Sequence, residues 1–598
     1  MRLSRLYSNQ PTIFKPIEFN DGLSAVIAEI RVPANRLLDT HNLGKTTVGE
    51  LIDYCLLKGK SSKFFLFKHE AVFAAFTFYL EIELPDNGYL TIARPVTPGS
   101  RIDLRRSDEP VPDVTAIQDA EWDHMGVPFE RARVLVDGIL GFEALTPWGF
   151  RKLVGYLIRS QQDYLDVFQL GKFSGKHQDW KPFVAHMVGL EAQPVIDLYN
   201  KREDLSSAET RLSTLTREWG GDDVDSSVID GLISVKRRDL AAKSEVLDSF
   251  SFGGEDQRTQ TVVVEDVEAR ISALNEESYR LAQLTDRIAE SLRDQQVIFK
   301  PADAEALFAE AGIAFGDQIK RDYLQLIAFN RAITKERREA LEEQRVAIGV
   351  RVEQITTELA ALNEERTRSL AFLRESDSLE KYKDLSREYS ALQADLHALE
   401  ARREAASRLI ELRREQRVLA EEYGQLETVV ESQIATISRD EDSSFGRLRR
   451  YFTEIIFEVL GQNAIIAIRM NSAGGLDFTA EFIGDSGTAT SGDRGTSYKK
   501  LMCIAFDLAM LRTYIDVPFP RFVYHDGALE QLEPRKREKL IGVFREYAEL
   551  GLQPVLSLLD SDLPSPLGTD SMTLSSSEII TTLHDEGESG RLFAMPPW

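Results

Sequence analysis

The chain has 598 residues, 43% hydrophobic and 28% charged, with a net charge of −25 and a pI near 5.0. This length suits two to four domains, the composition is that of a folded globular chain, and the acidity counts against a protein that coats nucleic acid non-specifically. There is no run of 18 apolar residues to predict a membrane span and no signal-peptide core at the start; Cys55 and Cys503 form neither a CxxC nor a metal-ligand spacing, so buried packing roles and a cytoplasmic setting are expected.

Residues 1–195 read as a mixed lobe. Apolar segments at Leu23 to Ile30 and Val72 to Leu84 alternate with Gly and Pro turns, a strand-rich pattern. Within it lies His41-Asn42-Leu43-Gly44-Lys45-Thr46-Thr47, followed by a helix predicted over Val48 to Leu57. A phosphate-binding loop needs a glycine for close backbone approach, a lysine for the β- and γ-phosphates, a hydroxyl for Mg²⁺ and a helix start that presents free N–H groups. Gly44, Lys45 and Thr46 supply the first three, with Asn42 and Thr47 beside them. Asp39 stands where the full pattern has its first glycine.

Residues 196–444 change character, being rich in Glu, Arg, Leu, Ala and Gln. Val267, Ile271, Leu274, Leu281, Ile288 and Leu292 step by fours and threes, with Ser278 and Thr285 filling two seam positions; so do Ile355, Leu359 and Leu362, and Leu385, Tyr389, Leu392, Leu396 and Leu399. Sustained seams of this kind predict a coiled coil. Breaks at 220–223, 252–255 and 299–317 divide it into an outgoing arm over 196–300, a tip over 301–325 and a returning arm over 326–444.

Residues 445–598 are mixed again. Ile465 to Met470 and Leu476 to Phe482 flank the turn Ser472-Ala473-Gly474-Gly475 and predict a hairpin. A helix over Tyr498 to Tyr514, a strand over Arg521 to His525, a helix over Pro534 to Leu550 and a strand over Pro554 to Leu559 complete a parallel α/β unit. The apolar run Phe522-Val523-Tyr524-His525 ends on Asp526, an acid placed as a P-loop enzyme places its Mg²⁺-linked carboxylate.

The run from Phe522 to Pro534 resembles the Walker B and D-loop pattern of ABC ATPases. The resemblance implies an ABC-type α/β head formed by the N- and C-terminal lobes and joined by a long antiparallel coiled coil. It puts Asp526 at the metal-linked acid, Leu532-Glu533 at the D-loop, and Gly527 where the family has its catalytic glutamate, leaving His525 or Glu530 to orient water. Tyr156 to Asp163 resembles the Q-loop, with Gln161 or Gln162 as the nucleotide-side residue and Gln161 as a metal contact. Ser491 to Lys500 resembles a degenerate ABC signature, in which Gly495, Thr496 and Ser497 would reach the nucleotide of a second head. Asp560-Ser561-Asp562 stands where the family has its switch histidine.

These departures are similar to a bacterial subgroup of SMC-like ATPases, which also shares Arg321-Asp322-Tyr323 with Ile327 to Asn330 and Arg337-Arg338. Such proteins occur in antiphage or anti-plasmid systems of the Lamassu and ABC-three-component kinds. The likeness implies ATP and Mg²⁺ as cofactors, with Thr46, Asp526 and Gln161 on the metal, and a homodimer through ATP-sandwiched heads. Other subunits of a defence complex and DNA are implied as partners, with no membrane. Arg447, Arg449 and Arg450, where the coil rejoins the head, are the nucleic-acid candidates; the clusters 236–238 and 335–338 read as solvated faces. Three functions compete: an ATP-driven switch of a DNA-associated complex or a DNA repair ATPase, a hydrolysis-poor scaffold that recruits an effector, and a purely structural coil. Gly527 bears on the second, and Gly44-Lys45-Thr46-Thr47 argues against the third.

Overall fold

The computed structural model describes residues 1–32, 43–171, 177–219, 226–249, 257–293, 317–369, 378–484, 495–563, 574–596 and 598. It forms two compact units. One combines Met1–Ser207 with Val418–Trp598, and the other is Ala208–Arg417.

The first unit is built on a five-stranded sheet in which the two ends of the chain alternate. Its strands are β3 (Ser24–Glu29), β8 (Ile158–Arg159), β11 (Phe522–Asp526), β12 (Gln553–Leu559) and β13 (Ile579–His584), in the order β13-β3-β12-β11-β8. Every pairing is parallel, with Val555 opposite Ser24 and Tyr524 opposite Ile158. Parallel sheets are covered on both faces, and β11 is buried along its whole length. The α/β class and a head drawn from both ends of the chain are therefore as the sequence implied.

A six-stranded antiparallel sheet stands beside it. It contains β1 (Arg2–Ser8), β2 (Ile17–Glu18), β4 (Thr77–Glu83), β5 (Tyr89–Pro95), β6 (Arg101–Ser107) and β7 (His124–Pro128), in the order β2-β1-β4-β5-β6-β7. The predicted hairpin is present as β9 (Asn463–Met470) and β10 (Leu476–Ile483). Asn471 closes its turn by accepting from the N–H groups of Ala473 and Gly475. One apolar core joins both lobes, including Leu6, Val26, Leu51, Leu157, Phe452, Leu508, Val523 and Leu556. Cys55 and Cys503 are buried, and burial pushes both thiols up to about 12, which keeps them protonated and inert at neutral pH.

The second unit is helical. Helix Ser226–Asp248 runs antiparallel to helix Ser378–Arg439: Asp230 pairs with Arg403, Lys236 with Asp395 and Lys243 with Glu388. Ile229, Ile233, Leu396 and Ala406 are buried between them. Helix Gln257–Arg293 is antiparallel to Asp317–Ser369: Glu277 holds Arg351 bidentately, and Glu268 accepts one bond from Arg366. The same helix runs parallel to Ser378–Arg439, since Glu268, Ser272 and Glu276 meet Ser386, Gln393 and His397 in rising order. The path therefore reverses more often than a single out-and-back hairpin. Among the seam residues, Val267, Ile271, Ile288, Ile355 and Leu396 are buried. Of the expected tip, residues 301–316 lie outside the described residues, as do the breaks at 220–223 and 252–255. No described helix is long and apolar enough to cross a membrane.

Candidate functional site

Gly44 opens helix Lys45–Cys55 in the left-handed region, at φ +99°. A side chain there would be strained and its Cβ would stand 2.6 Å from that of Leu592, so two constraints demand glycine. No side chain caps this helix start. The first-turn N–H groups of an uncapped helix suit an anion, as the sequence motif requires. Gly49 lets the helix lie against the ring of Tyr524, whose hydroxyl donates to the Lys45 carbonyl at 2.8 Å. Asn42 and Asp39 lie outside the described residues.

Side chains alternate along a strand, and β11 uses that alternation. Asp526 faces helix Lys45–Cys55. The Thr46 hydroxyl donates to Asp526 Oδ2 at 2.7 Å and the Ser557 hydroxyl to Oδ1 at 2.8 Å. Burial raises the Asp526 carboxyl above its ordinary range; the two hydroxyl bonds and Lys45 oppose that rise.

His525 faces the other way, into the core. Its Nε2 lies 3.0 Å from Asp507 Oδ2, and Asp507 is held bidentately by Arg159 at 2.7 and 2.9 Å. Arg159 also donates to the carbonyls of Asp163, Asp166 and Val167. Burial lowers the His525 imidazole. Burial alone would raise Asp507, but its pairing with Arg159 and His525 outweighs this and holds the carboxyl below its usual range. The triad ties β8 and β11 to helix Thr496–Thr513 and takes no place beside Lys45.

After Asp526 the chain turns through Gly527 at φ +67°. Glu530 folds back over this glycine. Its carboxylate lies 3.5 Å from Lys45 Nζ and 3.7 Å from Lys500 Nζ, and accepts from Gln161 Nε2 at 3.0 and 3.2 Å. A Cβ at position 527 would come within 2.6–2.7 Å of that carboxylate. Glu530 thus fills the space into which a residue-527 side chain would project. Lys500 Nζ donates to the Gly527 carbonyl at 2.8 Å.

The structure therefore brings Gly44, Lys45, Thr46, Gln161, Asp526 and Glu530 together. Thr47 is half-buried in the first helical turn and Gln162 is exposed. Lys500 and Ser557 were not anticipated. The signal for Ser557 is a lone hydroxyl in the apolar run of β12; Lys500 carries none beyond a lysine opening an apolar helix. Residues 491–494 lie outside the described residues; Gly495 is the exposed N-cap of helix Thr496–Thr513, and the Ser497 hydroxyl donates to the Gln531 carbonyl at 3.0 Å. Arg447 donates to the carbonyls of Asp442 and Thr513, and Arg449 to that of Ser438. Arg449 and the exposed Arg450 line a cleft of about 530 Å³ with Phe457 and Ile465. Among the described residues no group of three His, Cys, Asp or Glu is spaced to hold a metal ion by itself.

Residues 454–597 match a family model described as "Uncharacterised protein conserved in bacteria (DUF2326)". No curated protein matches the sequence. Among solved structures, the chain is similar to the Smc head domain with a coiled coil and joint from Pyrococcus yayanosii, at 15% identity over 93% of this chain and 92% of that one, with a TM-score of 0.33. It is similar also to the Smc head domain with an extended coiled coil from Pyrococcus furiosus, bound to the C-terminal domain of ScpA, at 12% identity over 94% and 90%, with a TM-score of 0.28. A SmcHead bound to the C-winged helix domain of ScpA matches 22% of this chain and 41% of that one, at 20% identity and a TM-score of 0.16.

Proposed function

We propose that this chain binds and slowly hydrolyses ATP, and that nucleotide joins two heads and so switches a DNA-associated complex. The observation that carries the reading is the convergence of Lys45, Thr46 and Asp526 at the mouth of an uncapped helix and the end of a buried parallel strand. Strand ends of parallel sheets are where ligands bind in open α/β folds. Lys45 would neutralise the β- and γ-phosphates, and the first-turn N–H groups would cradle them.

The donor set also fits a hard divalent cation. A hydroxyl and a buried carboxylate stand 2.7 Å apart, and Mg²⁺ is commonly bound by one or two protein oxygens with phosphate and water completing its shell. Thr46 and Asp526, with Gln161 nearby, would hold it. The ion supplies charge neutralisation on the phosphates. Glu530 is the carboxylate we assign to orienting the attacking water, since His525 is occupied by Asp507. A water-orienting carboxylate reached through a turn is less directly aimed than one on the strand end, so turnover is slow.

The loop 491–497 would complete the nucleotide site of a second copy, with Gly495, Thr496 and Ser497 at the start of an uncapped helix. Arg449 and Arg450 are assigned to DNA phosphates, and the remaining partners to subunits of an antiphage or anti-plasmid complex. Gly527 favours the second reading, a nucleotide-held scaffold without turnover. Turnover per chain, measured against protein concentration with and without DNA, separates them. Turnover that rises with concentration supports the switch. ATP binding without any turnover supports the scaffold. Absence of ATP binding overturns both.

A further inference from the structure

Two buried charges near this site have no assigned place in nucleotide chemistry, Lys500 and, further off, Asp562, and Lys500 is tied to Glu530, the carboxylate assigned to water. Glu530 is the shared element. Its two oxygens divide between two ammonium groups, Lys45 at 3.5 Å and Lys500 at 3.7 Å, while Gln161 spans both oxygens. Both lysines are buried, with side chains only 7% exposed. A buried ammonium needs a counter-charge, and here one carboxylate serves two.

The two lysines are anchored differently. Lys45 belongs to the phosphate loop. Lys500 sits on helix Thr496–Thr513 and donates to the Gly527 carbonyl at 2.8 Å, and lies 3.5 Å from that of Glu530. Its grip is therefore on the turn itself. A triphosphate entering the loop would take Lys45 and bring more negative charge beside Glu530.

Resting on the reading of Lys45 as the phosphate lysine, we infer that Lys500 is a positioning residue that takes sole charge of Glu530 when phosphate takes Lys45. In the nucleotide-free head Glu530 stands in for phosphate on Lys45. On binding, the carboxylate is displaced from Lys45 and retained by Lys500 and Gln161, still over Gly527. The exchange keeps every buried charge paired and leaves Glu530 beside the phosphate it serves. Burial lowers the Lys500 ammonium, and Glu530, Asp562 and Asp526 oppose that effect. Lys500 also lies one turn into the helix whose start is assigned to a second head, so a shift of that helix would move Glu530.

The test is a double-mutant cycle on the full chain, reading MgATP affinity by calorimetry and turnover by phosphate release. Glu530→Gln removes the competing anion, and ATP binds roughly tenfold more tightly while turnover falls. Lys500→Met leaves Glu530 on Lys45, so ATP binds more weakly and kcat falls. Glu530→Gln added to Lys500→Met restores tight binding but not turnover, and Lys500→Arg recovers part of kcat. A lysine that only supports the fold, or that touches nucleotide directly, gives additive binding losses, and that result overturns the proposal. Unchanged affinity in Glu530→Gln overturns it as well; this isosteric variant reads the exchange even if Lys500→Met does not fold. Wild-type protein that binds no ATP sinks the parent reading instead, so the two failures are distinct.

Discussion

The Thr46 hydroxyl and the Asp526 carboxylate, 480 residues apart in the chain, meet at 2.7 Å. Neither lobe contains both. The contact exists because β3, which precedes the Gly44-Lys45-Thr46 segment in the chain, sits in the same sheet as β11, with β12 between them.

Lys45→Ala is expected to abolish ATP binding, because a point charge on the phosphates is lost. Asp526→Asn retains binding but loses Mg²⁺-dependent turnover. Ser557→Ala removes the partner that orients the other Asp526 oxygen and weakens Mg²⁺ binding about 10- to 100-fold. Titration of Mg²⁺ against ATP turnover checks all three. Full ATP affinity in Lys45→Ala is the outcome that discards the phosphate-loop assignment.

Gly527→Glu places a carboxylate where the resemblance to ABC ATPases implies one, yet it is expected to lower turnover. The backbone is at φ +67° and the new Cβ would meet Glu530 at 2.6–2.7 Å. Backbone strain of this kind costs about 1–3 kcal/mol, and Glu530 would be expelled from its lysines. Thermal melts and steady-state kinetics of Gly527→Ala and Gly527→Glu test this. A Gly527→Glu protein that is faster than wild type refutes it.

His525 makes stability depend on pH. Its folded pKa is lowered by burial from an ordinary 6.5, so below that value the unfolded chain takes up a proton that the folded chain refuses. Stability contributed by neutral His525 is present above pH 6.5 and is lost as pH falls, by up to about 1.4 kcal/mol per pH unit. Asp507 acts in a separate window, losing its contribution only below the ordinary 3.8. Melting curves between pH 8 and 5 should slope downward in acid for wild type, and less so for His525→Gln. Equal slopes would remove His525 from the account.

Residues 1–195 expressed alone should not fold. β3 would lose both neighbours, β12 and β13, and β8 would lose β11. Co-expression with 418–598 should give a soluble pair. Cooperative melting of 1–195 by itself would contradict the interleaved sheet.

The proposed phosphate loop is legible in the sequence because its residues are local: Gly44, Lys45 and Thr46 are adjacent and open a helix. Asp526 was legible as the acid ending an apolar strand. His525 was misplaced as a water-orienting candidate, although strand alternation puts it on the face opposite Asp526. Lys500 and the grip on Glu530 were not legible, since packing between distant elements creates them. The repeated reversals of the helical unit were equally hidden, because heptad seams state that a helix pairs but not with which partner or in which direction.

The alternating sheet also sets the order in which the protein can come into being. Val555 pairs with Ser24 and Ile579 with Ala25, so β3 leaves the ribosome long before either of its neighbours exists. At the usual pace of synthesis, the wait is roughly half a minute to two minutes. For that time the apolar face of β3 has no sheet to join and Thr46 has no Asp526 to meet. The nascent chain can hold no complete head, and its early strands have only the neighbouring antiparallel sheet for cover. The site proposed for nucleotide is complete only once the last segments of the chain have been made.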